Sequence, residues 1–444
     1  MGFAENIRET IKIQIQKNLN RDYIEKILGI VGSWPVLPVY GMTFASKSDK
    51  YLNIATIKNI KKAYSKKYPV AYGSIFLPYE LLHSLDLVPF LPEVMAGFTA
   101  GIGIADKTLK EASARWYTPD LCTFHRSASG AVELNLFPLP QFLICSSLAC
   151  DAAQKTFYID AKKYNIEDNF YLIDVPYKKT ADSIKYLASQ LKDISASISK
   201  KMGKQPDMGK FRNTIRLSNE FRYWASKVND IRKELLIYPK YFNGLSYILP
   251  FHGFAGTKDA VVIYKNIYFE LKNFLEMQKG LSGNKKIGSN NKIKQDIGKT
   301  KRILWLHLKP YYKNNIFEIL ESNNCRVVFE EISHVYWPEL DEEKPFESLA
   351  LKMLSHPLNG SVENRMAAIL EMVRSYRIDG VILFSHWGCR HSNGSARIIK
   401  DTLRNNNVST LILDGDCLNK NNSSEGQILT RLQGFMEIIN SKQS

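Results

Sequence analysis

The sequence predicts an α/β protein: two doubly wound parallel-sheet domains joined by a helical region and preceded by an N-terminal helical segment. Two observations carry this expectation. Short β-prone apolar runs alternate with amphipathic helical runs over residues 68–180 and again over 301–444, and such alternation implies parallel strands with helical crossovers. Between them, residues 181–277 read as mostly helical. A chain of 444 residues has room for two or three domains, at roughly 150 residues each.

Residues 6–30 place apolar side chains at helical spacing, a Pro- and Gly-containing loop covers Trp34–Gly41, and a lysine-rich helix runs from about Thr56 to Lys67. This N-terminal segment is taken as 1–67. In the first α/β domain, 68–180, PVAYGSIF is a strand, PYELLHSLDL a helix, QFLICSS a strand, DAAQKTFYIDAKKYN a helix and NFYLIDVPY a strand. Residues 181–300 hold three helical stretches, an irregular piece from Tyr238 to Lys258, and a basic linker. The second α/β domain, 301–444, repeats the alternation, with strands RILWLHL, CRVVFEEIS, DGVILFSHWGC and STLILDGDC. Both domains read as Rossmann-like. No internal repeat is strong enough to assert.

The composition, 45% apolar and 23% charged, is that of a globular protein and excludes bulk disorder. Sixty Lys and Arg against 44 Asp and Glu give a net charge of +16. That surplus suits nucleic acid, a phosphate-bearing cofactor or an acidic protein alike, and a solvated basic surface explains it equally well. Pro89, Pro92 and Glu93 break the most apolar stretch, below the roughly 18 residues of a membrane helix. The N-terminus carries Glu5, Arg8 and Glu9 in place of an apolar signal core. A cytoplasmic location, with neither membrane nor nucleic acid as partner, is expected. Gly298-Lys299-Thr300 mimics the end of a P-loop, but the first glycine is replaced by Ile293 and the stretch precedes a strand, so it is no nucleotide site.

Six cysteines without a CxxC pair signal neither a zinc ribbon nor a dithiol redox motif. Cys145, Cys325 and Cys417 read as packing residues. The other three sit where an open α/β sheet binds ligands, beyond the carboxyl ends of strands. Cys150 follows QFLICSS at the start of a helix, Cys389 follows DGVILFSHWG, and Cys122 lies in the turn-rich DLCTFHRSASG. A helix N-terminus, and basic neighbours such as Arg126 and Arg390, favour the thiolate form that binds metal. Together they sketch a three-thiolate site between two domains.

VAYGSIFLPYELLHSLDLVPFLPE, LCTFHRSASG, PLPQFLICSSLACD, YLIDVPY, Asp379-Gly380, SHWGCRHSNGSARIIKDTL and LDGDCLNKNNSSEGQILTRLQGFMEII occur in that order. So arranged, they resemble the 2-hydroxyacyl-CoA dehydratase and benzoyl-CoA reductase family, and closest its dehydratase subunits. The resemblance runs from about Val70 to the C-terminus. It implies that Cys122, Cys150 and Cys389 hold a [4Fe-4S] cluster whose fourth iron takes a non-protein ligand. Soft thiolates suit such a cluster. It further implies a CoA thioester substrate, a homologous second subunit, and an ATP-hydrolysing iron–sulfur activator that injects one electron. The reaction so implied is loss of water from a 2-hydroxyacyl-CoA through a ketyl radical.

The resemblance sets Glu93 beside the substrate as an acid or base and Ser74 as a second catalytic candidate. A solvated loop acid is the plain alternative for Glu93, and a helix-start residue for Glu80. His125, His386 and His391 lie near the cysteines in sequence and either tune a cluster by hydrogen bonding to sulfur or are ordinary polar loop residues. The rival functions are a benzoyl-CoA-reductase-type or double-cubane ATP-dependent reductase subunit, a non-catalytic cluster-bearing partner subunit, and a basic nucleic-acid-binding protein.

Overall fold

The computed structural model describes residues 20–22, 24–25, 46–236, 238–239, 242–283 and 300–441. Most of the expected helix over 6–30, the loop at 34–41 and residues 284–299, which hold most of the basic linker, lie outside these residues. Two four-stranded sheets carry the fold, and every pairing between strands is parallel. The first holds β1 (Val70–Gly73), β2 (Val88–Phe90), β3 (Phe142–Ser146) and β4 (Phe170–Ile173). The second holds β5 (Lys301–Leu306), β6 (Cys325–Glu330), β7 (Gly380–His386) and β8 (Ser409–Gly415). Their orders are β2-β1-β3-β4 and β6-β5-β7-β8. The two units therefore share one topology, a repeat that the sequence does not disclose. In each, the chain reverses its direction of winding between the first and third strands, β1/β3 and β5/β7.

The central strands are buried on both faces, which is why they read as unbroken apolar runs. Successive side chains alternate between two core layers. Ala71, Ile144, Leu304, Leu306, Val381 and Leu383 face one layer, while Tyr72, Leu143, Cys145, Trp305, Ile382 and Phe384 face the other. Each layer runs from one sheet into the next. The first is covered by the three expected long helices, Ala181–Lys201, Met208–Glu234 and Lys258–Gly283. The first two start where their cap residues, Thr180 and Asp207, accept the backbone N–H three residues on. The second layer is covered by helices that include Asp151–Lys163 and Glu425–Ser441.

Two buried ion pairs tie the two units and the helical region together. Lys352 Nζ donates to Glu80 Oε1 at 2.5 Å, and Ser218 Oγ donates to the same oxygen at 2.6 Å. Glu80 thus joins the first unit to the second, beyond its place at a helix start. Arg232 donates to Glu330 at 2.7 Å at the end of β6. Among the described residues, no helix is long and apolar enough to cross a membrane.

Three details depart from expectation. VPF forms β2, a strand hidden in the sequence by Pro89. The turn-rich reading of LCTFHRSASG is wrong: Thr123–Glu133 is a helix, buried along nearly its whole length. Glu93 is no solvated loop acid either, because it lies in the first turn of helix Pro92–Gly101 and is only 6% exposed.

Candidate functional site

In open α/β sheets the crevice lies beyond the carboxyl ends of the strands, at the switch in winding. Here both crevices open into one cavity of about 860 Å³, lined by Ile75 and Phe76 after β1, Cys150 after β3, His307 after β5, and Cys389 after β7. Cys122 and Glu93 line the same cavity.

The three cysteines share one local geometry. Cys122, Cys150 and Cys389 are the N-cap residues of helices Thr123–Glu133, Asp151–Lys163 and Arg390–Asn405. Each sulfur faces backbone N–H groups of its own first turn: Phe124 and His125, Ala152 and Ala153, His391 and Ser392. Cys150 and Cys389 also occupy matching places in the two sheets, each preceded by a residue in the left-handed region, Ala149 at φ 56° and Gly388 at φ 77°. Burial pushes the Cys150 thiol up to about 12 and Cys389 to about 11, and raises Cys122 as well. The basic neighbours expected to offset this do not. Arg390 is exposed and donates to Asp151, and Arg126 bonds the Pro119 carbonyl and Ser113. The cation acting on Cys389 is Arg365, and burial outweighs it. Stable thiolates here therefore need further positive charge at the sulfurs.

Gly388 sets the approach of the two units. A Cβ on it would meet the Cys122 backbone nitrogen at 2.4 Å and its Cα at 2.6 Å. Gly388→Ala is expected to cost about 1–3 kcal/mol through backbone strain and forced separation, read by chemical denaturation. Gly394→Ala, on the following helix where nothing lies within 4 Å, gains roughly 0.5–1 kcal/mol. Equal stability of the two variants would show that the 388 loop yields freely.

A histidine stands against each sulfur, though not in the pairings that sequence proximity suggests. His386 Nε2 lies 3.3 Å from Cys122, His125 Nε2 lies 3.2 Å from Cys150, and His307 Nε2 lies 3.6 Å from Cys389. The Cys417 N–H donates to His386 Nδ1 at 3.1 Å. In the neutral ring the proton is then on Nε2, which donates to Cys122. His391 turns away to the Leu358 carbonyl. Cys145 and Cys325 are buried in β3 and at the start of β6.

Two carboxylates occupy matching places. Glu93, after β2, accepts the Ile75 N–H at 3.4 Å; Glu331, after β6, accepts the His307 N–H at 3.0 Å. Both line the cavity. Their environments push them apart. Burial raises the Glu93 carboxyl, and its Oε2 has no hydrogen-bond partner among the described residues. Burial acts on Glu331 too, but the bidentate Arg365 guanidinium at 2.7 and 2.8 Å holds it at about 2. Such a split marks one group able to carry a proton and one permanently charged. Ser74 is not among the residues lining the cavity; its hydroxyl accepts the Ser146 N–H, latching β1 to β3. His307, Glu331 and Arg365 escaped sequence reasoning, although the strand-end rule reaches the first two.

Curated relatives resemble between about a third and four-fifths of this chain. An (R)-phenyllactyl-CoA dehydratase alpha subunit of Clostridium sporogenes is 24% identical over 396 residues, 82% of this chain and 88% of that protein. The (R)-2-hydroxyglutaryl-CoA dehydratase subunit alpha of Acidaminococcus fermentans is 25% identical over 315 residues, 68% of this chain and 61% of its own length. An (R)-2-hydroxyisocaproyl-CoA dehydratase alpha subunit of Clostridioides difficile shares 25% over 171 residues, 36% of this chain and 41% of the relative. Residues 74–439 match the sequence profile of one family, and the chain belongs to it: 2-hydroxyglutaryl-CoA dehydratase, D-component.

Proposed function

We propose that this chain is a subunit of an iron–sulfur 2-hydroxyacyl-CoA dehydratase, eliminating water from a 2-hydroxyacyl-CoA. The observation that carries the reading is three cysteines, each capping a helix, on one cavity that also holds an unpaired buried carboxylate. Among the described residues no three His, Cys, Asp or Glu side chains converge on a single metal ion. A cubane does not ask for that, since its three thiolates bind three different irons. The donor set fits a [4Fe-4S] cluster with one non-protein ligand: soft sulfur, backbone N–H groups at each helix start, and an imidazole beside each sulfur.

Cys122, Cys150 and Cys389 would hold the cluster, which would supply one low-potential electron to the thioester and take it back at the end. Glu93 does the proton work. One-electron reduction turns the thioester carbonyl into a ketyl, and the 2-hydroxyl leaves with the proton that Glu93 gives it. The adjacent carbon, acidified in the reduced thioester, then returns a proton to the carboxylate, so that water departs and Glu93 ends as it began. The electron comes from a separate ATP-hydrolysing iron–sulfur activator, and a homologous second subunit completes the enzyme in the cytoplasm.

An unpaired acid at Glu93 favours dehydration over the benzoyl-CoA-reductase reading. Cys145 and Cys325, closed inside strands away from the cavity, disfavour a double cubane. The test is anaerobic purification with iron and sulfide quantitation, alongside Cys122→Ser, Cys150→Ser and Cys389→Ser. About four irons per chain, lost in each variant, are expected. Water loss from phenyllactyl-, 2-hydroxyisocaproyl- or 2-hydroxyglutaryl-CoA should then require the activator and ATP. A stable iron-free protein indifferent to all three substitutions would remove the cluster and the dehydratase reading with it.

A further inference from the structure

Beyond the thiols the cavity holds a second set of polar groups, at Phe76. His252 ends the short helix Ile248–His252, and His356 follows helix Pro345–Leu354. Both line the cavity. Their rings meet the Phe76 ring edge-on at centroid distances of 6.3 and 5.2 Å, and His356 also packs on Tyr336 at 4.5 Å.

Backbone contacts fix the tautomer of each ring. His252 Nδ1 lies 3.0 Å from the Ile75 carbonyl oxygen. A carbonyl only accepts, so Nδ1 carries the proton and Nε2 presents a lone pair. The Leu358 N–H donates to His356 Nδ1 at 3.1 Å. There Nδ1 must be bare, and Nε2 carries the proton. Burial keeps both rings neutral, lowering His252 to about 4 and His356 to about 3. Among the described residues each ring's hydrogen bond is made through Nδ1, and neither Nε2 bonds to a protein group. Ile75 is held from both sides, its N–H by Glu93 and its carbonyl by His252. The acceptor, the donor and the Glu93 carboxyl are thus arranged about one loop at the end of β1.

We propose that His252 and His356 form a paired acceptor and donor that hold a group of the bound thioester able both to donate and to accept, a secondary amide of the pantetheine arm or the 2-hydroxyl of the acyl group. This rests on the CoA-thioester reading above. His252 Nε2 accepts a hydrogen bond from the N–H or O–H of that group, and His356 Nε2–H donates to its oxygen. Neither ring exchanges a proton with the substrate; they position it against Glu93.

Asn and Gln substitutions separate a ligand role from a structural one. In His252→Asn the short amide keeps a donor for the Ile75 carbonyl, and in His356→Asn an acceptor for the Leu358 N–H, while each deletes the cavity atom. The Gln variants do the reverse, placing a polar atom where Nε2 stood and dropping the backbone bond. Binding is measured by calorimetry on the anaerobically purified chain without activator. The probes are phenyllactyl-, 2-hydroxyisocaproyl- and 2-hydroxyglutaryl-CoA, their counterparts lacking the hydroxyl, and coenzyme A itself. Each Asn variant is expected to bind about 3- to 10-fold more weakly with an unchanged unfolding temperature. Each Gln variant should bind nearer to wild type yet melt lower. A loss confined to the hydroxylated thioesters assigns the contact to the 2-hydroxyl, and a loss shared with coenzyme A assigns it to an amide. Wild-type affinity in all four variants, or the opposite ranking of Asn and Gln, overturns the pair while leaving the thioester reading standing. A wild-type chain that binds none of the probes sinks the thioester reading itself.

Discussion

Glu93→Gln is expected to retain the iron of the wild-type chain and to lose roughly 100- to 10,000-fold in turnover, the usual contribution of a positioned acid or base. The substitution keeps the shape of the side chain and its acceptor for the Ile75 N–H. It removes only the ability to give and take a proton. The fold should not suffer. Burial holds the Glu93 carboxyl above its ordinary 4.5, so its ionisation opposes the folded state more as pH rises through the folded pKa. A neutral amide escapes that penalty. Glu93→Gln should accordingly melt no lower than wild type at neutral pH, and any advantage should shrink below the ordinary carboxyl pKa. Turnover within tenfold of wild type at full iron content would show that the proton chemistry lies elsewhere.

Much of this architecture was legible because parallel strands buried on both faces leave a strong trace. VILFS and FLICS can only be central strands or buried helix, and their length and β-branched content decide for strands. The rule that sites lie beyond strand ends then reached Cys150 and Cys389 without any structure. What stayed hidden depends on contacts distant in sequence. Ser127, Ser129 and Gly130 look like turn formers, yet helix Thr123–Glu133 packs so closely on helix Ala105–Ala114 that a Cβ at Gly130 would meet the Thr108 oxygen at 1.9 Å. Small residues there serve close packing, and Ser127 bonds Thr108 at 2.7 Å.

The imidazole–sulfur pairs were equally invisible. His386 serves Cys122, 264 residues away, instead of its neighbour Cys389. Local sequence also misjudged charge: Arg390 lies beside Cys389 in the chain but points to Asp151 at the surface, while Arg365 acts on the thiol from another helix. Topological equivalence of the two sheets explains the matched cysteines and carboxylates better than any sequence motif, because the repeat survives in strand order alone.

Glu331→Gln, at the matching position, is expected to do the opposite of Glu93→Gln and destabilise the protein by about 3–5 kcal/mol, as removal of one partner of a buried pair does. The Arg365 side chain is 2% exposed. Its guanidinium donates twice to Glu331 and once to Ser395 at 3.0 Å, and a neutral amide leaves that charge without a counterion. The His307 N–H, also held by Glu331, belongs to a residue in the left-handed region at φ 68°. The loop carrying the imidazole beside Cys389 should therefore loosen as well. The sign of the pH dependence follows from the depressed pKa. Stability contributed by Glu331 is complete above its ordinary 4.5 and is lost as pH falls toward about 2. Chemical denaturation between pH 7 and pH 3 should show wild type losing part of this increment while Glu331→Gln, which never had it, changes less. The double variant Glu331→Gln/Arg365→Met removes the stranded charge and should recover much of the loss. A double variant no more stable than the single one would mean that Glu331 acts by fixing the His307 loop, with the ion pair secondary.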